Sequence, residues 1–127
     1  MKTLPNGVTV FNGTPHSIRF WHPDWTEPIE VDTDTIISAS VEESPVIPDV
    51  AYGHLTGTIE LVNTRYVGND EARKIVADAM RQADVVIGSI IAAQAYPGDV
   101  LAMVPAEGYE RVPPTEKRMR PDKFTIF

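Results

Sequence analysis

The sequence predicts an α+β domain, a mainly antiparallel N-terminal β-sheet with two helices in the C-terminal half. Two observations carry that prediction. Short β-branched runs of alternating polarity, separated by Pro, Gly and Asp turns, fill the chain to about residue 66, and from Asn69 onward the apolar spacing changes to three and four. The length of 127 residues sets the scale at one domain. Within it, 1–66 reads as strand-rich, 67–104 as helix-containing and 105–127 as a basic C-terminal arm.

The expected strands are Val8–Phe11, Ser17–Trp21, Ile29–Val31, Ile36–Val41, Val50–Tyr52 and Thr58–Val62. Asn12-Gly13, His22-Pro23, Glu27-Pro28 and Ser44-Pro45 bound them as turns. Pro5, Pro15, Pro28, Pro45 and Pro48 fall where a missing N–H is tolerated, at edges and turns. Asn69 is a strong N-cap, and Asp70 and Glu71 place carboxylates at the positive end of the helix that follows. Ala72, Ile75, Val76, Ala79, Met80 and Ala83 make its inward stripe, and burial of Ile75, Val76 and Met80 is expected to contribute about 1.5–3 kcal/mol each. Val85–Ile87 then reads as a strand, Gly88-Ser89 as a tight turn and Ile90–Tyr96 as a short helix stopped by Pro97-Gly98. Asp99–Val104 returns as a strand, so that Thr58 to Val104 would form one or two crossovers attached to the N-terminal sheet.

Charge is segregated along the chain. Nine Asp or Glu and no Lys or Arg lie between Phe20 and Thr64, whereas the last twenty residues hold five of the eleven Lys and Arg. Arg118 and Arg120 can present planar donor forks to phosphate, and Pro113, Pro114 and Pro121 stiffen the backbone around them, so the segment reads as an ordered arm for anions. The competing reading pairs these cations with the acidic middle of the same or a neighbouring chain. A net charge of -7 argues against duplex nucleic acid, which demands neutralisation of many phosphates, and leaves a small phosphate ligand compatible.

Other classes are disfavoured by what the chain contains. There is no cysteine, hence no disulfide, thiolate metal site or Cys nucleophile. His16, His22 and His54 lack metal-ligand spacing, so neither metal nor cofactor is expected. The N-terminus has no signal-peptide pattern and no apolar run reaches membrane-span length, which reads as a soluble protein of the cytoplasm. No nucleotide-loop, nucleophile-elbow or zincin motif is present, and no catalytic residue is assigned. His16 could act as a general base with a carboxylate, although an Asx turn accounts for Asn12-Gly-Thr-Pro-His16 equally well.

Several positions nevertheless suit a bound nucleotide. The Gly88-Ser89 turn could offer N–H groups and a hydroxyl to an oxyanion, or be only a helix cap. Gln94 carries the donor and acceptor that read a base edge. Tyr66, Tyr96, Tyr109 and Phe124 each lie within a few residues of Arg, Lys or Gln and could stack on a base, core packing being the alternative for each. Arg65 is the first cation after the acidic stretch.

The order of Asn12-Gly-Thr-Pro-His16, then Gly88-Ser-Ile-Ile-Ala-Ala-Gln-Ala-Tyr-Pro-Gly98, then Tyr109-Glu-Arg-Val-Pro-Pro-Thr-Glu-Lys-Arg-Met119 resembles the phage-encoded Thoeris anti-defence protein 1 family. The likeness runs the whole length, and its C-terminal half is the specific part. It implies a nucleotide sponge: such proteins bind cyclic ADP-ribose isomers made by bacterial TIR-domain defence proteins and hold them uncleaved. Some members also capture cyclic di- or trinucleotide signals of the CBASS defence system. It further implies a homo-oligomer, dimer or hexamer, in the host cytoplasm, with arginines, an aromatic and an amide side chain near a subunit interface. By chemistry, Arg65, Ser89, Gln94, Arg111, Lys117, Arg118 and Arg120 are then expected at phosphate and base, and Tyr66, Tyr96, Tyr109 and Phe124 at stacking positions. Two other readings stay open, an assembly protein without a small ligand and a hydrolase of the same signals acting through His16 or His54.

Overall fold

A computed structural model describes residues 1–46 and 60–127. The expected strand at Val50–Tyr52, together with Pro48, His54, Thr58 and Ile59, lies outside the described residues. The fold is mixed α+β. Its elements run β1 (Lys2–Thr3), β2 (Thr9–Asn12), β3 (Ile18–Phe20), β4 (Ile29–Val31), β5 (Ser40–Pro45), β6 (Val62–Val67), α1 (Asp70–Gln82), β7 (Val85–Ile87), α2 (Ile90–Ala95), β8 (Ala102–Pro105) and β9 (Met119–Thr125).

The strands sort into three small sheets ordered β1-β2-β7, β4-β3-β9-β8 and β5-β6. The first two are mixed, because β2 runs parallel to β7 and β3 parallel to β9, while β1-β2, β3-β4 and β8-β9 are antiparallel. A single parallel bridge, Ile87 to Leu101, joins β7 to the chain entering β8 and so links these two sheets. The Lys2 ammonium on edge strand β1 donates to the Glu30 carbonyl on edge strand β4 at 2.6 Å, and the amide of Asn12, on the central strand β2, donates to the Val31 carbonyl at 2.9 Å. Seven strands therefore curl around one cluster of Leu4, Val10, Phe20, Val31 and Ile87, with Met103, Met119 and Phe124 packed against it.

A second cluster lies under the helices and is built mainly from small side chains: Ala72, Val76 and Ala79 of α1, Ala92, Ala93 and Ala95 of α2, Val86 of β7, and Tyr96, Val100 and Ile37. The strand period of two lets β7 serve both clusters, Val86 facing the helices and Ile87 the curled sheets. α1 starts as expected: the Asn69 side chain accepts from the Ala72 N–H at 2.8 Å. Its buried stripe is narrower than expected: Ala72, Val76 and Ala79 are buried, Ile75 is half-buried against the same cluster, and Met80 is 47% exposed.

Three further expectations change. Ile36–Ala39 is not part of a strand, with the Ile37 N–H donating to the Gly13 carbonyl at 2.9 Å; pairing begins at Ser40. Of the strand expected at Thr58–Val62, the described part overlaps β6 only at Val62, and β6 runs on to Val67, paired antiparallel with β5 so that Glu42 opposes Arg65. Strands β6, β7 and β8 belong to three different sheets, so the expected crossovers reduce to the one at β7-α2-β8, closed by the Ile87 to Leu101 bridge.

The basic C-terminal segment is built into the fold: Met119–Thr125 is an inner strand between β3 and β8. Pro121 is fully buried inside it, which a regular ladder would not tolerate. The ladder slips there, from Met103 opposite Phe124 to Pro105 opposite Met119, and the Asn6 amide donates to the Pro121 carbonyl at 3.0 Å.

Candidate functional site

The turn Asn12-Gly-Thr-Pro-His16 is a closed hydrogen-bond knot. Fully buried Asn12 donates from Nδ2 to the carbonyls of His16 and Val31, each at 2.9 Å, and its Oδ1 accepts from the Thr14 N–H at 2.9 Å. The Thr14 hydroxyl lies 2.6 Å from Asn12 Oδ1 and 2.8 Å from the His16 carbonyl, with one hydrogen to give to either. Gly13 is required for space, since a β-carbon there would meet the Ile87 carbonyl at 2.8 Å and the Ile37 side chain closer still. The knot fixes the point at which His16 and Ser17 leave for β3.

Beside that point is a cleft of about 430 Å³ between β3 and the 3-10 turn Pro114–Glu116. His16, Arg19 and Lys117 stand around it, Glu30 is the one carboxylate in its lining, and Ile18, Pro114 and Met119 supply apolar wall. Arg19 donates from Nη1 to the Thr115 carbonyl at 2.6 Å, which ties the turn to β3 and leaves the other donors of its fork free of protein partners among the described residues. Arg19, Lys117 and His16 against one carboxylate suit this cleft to an anion, and its volume is within the range usual for small-molecule sites.

A second cleft of about 490 Å³ opens on the other side of β9, lined by Trp21, His22, Glu107, Glu110, Arg120, Asp122 and Lys123 over Val104–Ala106. Arg120 forks onto Asp122 at 3.0 and 3.1 Å. This bonding raises the Arg120 pKa above its ordinary value and holds Asp122 below the usual carboxylate range. With Arg120 engaged, the carboxylates of Glu107, Glu110 and Asp122 offset Lys123 and His22, so this cleft is less well matched to phosphate than the first.

The expected basic group is thus divided by strand alternation. Lys117 and Met119 reach the first cleft and Arg120 the second. Arg118, on the same side as Arg120, stacks its guanidinium on two rings, 5.1 Å from the Trp21 centroid and 4.9 Å from that of Tyr109. Those rings meet edge to face at 5.8 Å. Arg111 is exposed in the turn between Tyr109 and Pro113.

The remaining expected site residues lie elsewhere. Tyr96 is buried in the helix-side core, where its hydroxyl donates to the Ser38 carbonyl at 2.7 Å and accepts from the Asn69 N–H at 3.0 Å, so it is a brace and not a stacking face. Phe124 packs on Phe20 at 6.4 Å inside the curled sheets. Tyr66 is half-buried against the helix-side cluster. Arg65 and Gln94 are exposed on β6 and α2. The Ser89 hydroxyl caps α2 by accepting from the Ala92 N–H at 3.2 Å, and Gly88 is small because a β-carbon would meet Val100 at 2.7 Å and Ala92 at 3.0 Å. Packing and capping account for the Gly88-Ser89 turn.

Sequence reasoning did not select Arg19 or Trp21. Arg19 carried a usable signal, as the only Lys or Arg between Lys2 and Arg65, facing outward between Ile18 and buried Phe20. Trp21 carried none, because its partner Arg118 is far away in the chain. Among the described residues no group of three or more His, Cys, Asp or Glu is placed to hold a metal ion, and no helix is long and apolar enough to cross a membrane. Comparison with protein-family models, curated proteins and solved structures gives no match.

Proposed function

We propose that this protein is a phage anti-defence sponge, which binds cyclic ADP-ribose-type signals, and cyclic di- or trinucleotides as a second class, and holds them uncleaved in the host cytoplasm. The observation that carries the reading is the cleft between β3 and the Pro114–Glu116 turn, where Arg19, Lys117 and His16 converge with one carboxylate. A pyrophosphate would take charge-assisted bonds from Arg19 and Lys117, and the apolar wall of Ile18, Pro114 and Met119 would receive the less polar part of the ligand. Sequestration needs tight binding and no reactive group, so a rigid cation set suffices. The resemblance of the C-terminal half to the Thoeris anti-defence family supplies the identity of the signal.

An assembly role is the second reading, and one observation favours it. Ile90 and Ile91 of α2 are 62% and 40% exposed, and Val41 and Val62 of the β5-β6 hairpin are exposed as well, an apolar display that a homo-oligomer would cover.

A thermal-shift screen with cyclic ADP-ribose isomers and cyclic di- and trinucleotides separates them, followed by heat release and chromatography of any ligand that shifts the transition. Sequestration predicts a raised Tm and recovery of intact ligand. A shift with fragments recovered indicates a hydrolase, and no shift with any nucleotide leaves the assembly reading.

A further inference from the structure

We infer that Arg118 is a positioning residue for the β3 cleft and does not itself touch the ligand; the inference rests on the reading of that cleft as an anion site. Its guanidinium is held between Trp21 and Tyr109, on the side of the chain opposite to Lys117 and Met119. Its backbone is held too, because the Arg118 carbonyl accepts from the Ala106 N–H at 2.8 Å. Tyr109 is fastened to the same point, its N–H donating to the Ala106 carbonyl at 2.9 Å.

Lys117 sits between this clamp and the 3-10 turn with little else to orient it. Its own N–H bond to the Pro114 carbonyl is long, 3.4 Å, and regular β9 pairing starts only at Met119. In extended backbone, neighbouring side chains point to opposite sides, so locking Arg118 into the aromatic pair fixes the direction of Lys117 into the cleft. Arg19 is fixed on the facing wall by the Thr115 carbonyl. The clamp therefore sets the spacing of the two cations that a pyrophosphate must bridge. Tyr109 and Trp21 share this role, stacking on a protein guanidinium rather than on a nucleobase.

The test uses inorganic pyrophosphate as the probe, titrated into the full chain at several ionic strengths by calorimetry. Tyr109→Leu leaves every charge in place yet removes one of the two rings that hold Arg118; it should weaken pyrophosphate about threefold to tenfold, the range of a half-exposed cation–π contact. Tyr109→Phe keeps the ring and should bind as wild type. Arg118→Ala should weaken binding by a similar factor, and the double variant with Tyr109→Leu by no more than either alone. The salt dependence should stay unchanged in Tyr109→Leu and become shallower in Lys117→Ala, which removes a true ionic contact. Wild-type affinity in Tyr109→Leu, with loss confined to Arg118→Ala, would make Arg118 a ligand contact and overturn the inference. Absence of pyrophosphate binding by the wild type would instead overturn the site on which it rests.

Discussion

Among single residues, the polar groups that matter most are the ones that never meet solvent. Asn12 serves two carbonyls and the Thr14 N–H from a fully buried position, and leaving a buried group unpaired costs about 1–3 kcal/mol. Asn12→Ala is therefore expected to lower stability by about 3 kcal/mol or more, read as a fall in the urea midpoint at constant m-value; a change under about 0.5 kcal/mol would contradict the knot. Arg120 and Asp122 give the opposite case, a solvent-facing pair two residues apart on one strand face. Because pairing lowers the Asp122 pKa, its contribution is full above the ordinary carboxylate pKa and is lost as pH falls through the depressed value. Asp122→Asn should thus be less stable than wild type near neutrality, by a small screened amount, with the gap closing in acid; pH-dependent melting curves that stay parallel down to low pH would refute the assignment.

Among the helices and strands, short local signals were legible and long-range pairings were not. Asn69 and Ser89 both cap helices through a hydroxyl or amide three residues ahead of an N–H, a purely local geometry that the residue types announce. Ile29–Val31 and Val85–Ile87 were likewise visible as short β-branched runs. The sheet partners were not, since β2 pairs with β7 and β3 with β9 across most of the chain, and nothing local encodes that choice. β9 was hidden by Pro121, whose usual meaning is the end of a strand, and here it marks a slip in the ladder. Of the site, Lys117 was named from charge alone, whereas the division of Lys117 from Arg118 and Arg120 depends on a strand phase that the sequence did not reveal. The narrow stripe of α1 supplies a test: Val76→Ala should cost about 2 kcal/mol and Met80→Ala less than about 0.5 kcal/mol, although the helical pattern ranks them as equals. Equal losses in chemical denaturation would show that Met80 is covered in solution.

Across the whole molecule, a net negative chain brings Arg19 and Lys117, distant in sequence, to the two walls of one cleft. One wall is β3, presented by the Asn12 knot near the N-terminus, and the other is the turn and strand start at Pro114–Met119. The curled sheets bring them together through the parallel pairing of Phe20 with Met119, so the anion site we propose would form only in the folded domain. Binding there should then stabilise the fold by an amount that grows with the logarithm of ligand concentration above Kd. The most direct measurement is calorimetric titration of cyclic ADP-ribose isomers into the wild type and into Lys117→Glu at matched ionic strength. Saturable binding of at least one isomer by the wild type is expected, with at least a tenfold loss, about 1.4 kcal/mol, in the folded variant. Equal affinity in the two proteins, or no binding of any isomer by the wild type, would rule out the β3 cleft as the seat of a sequestered signal.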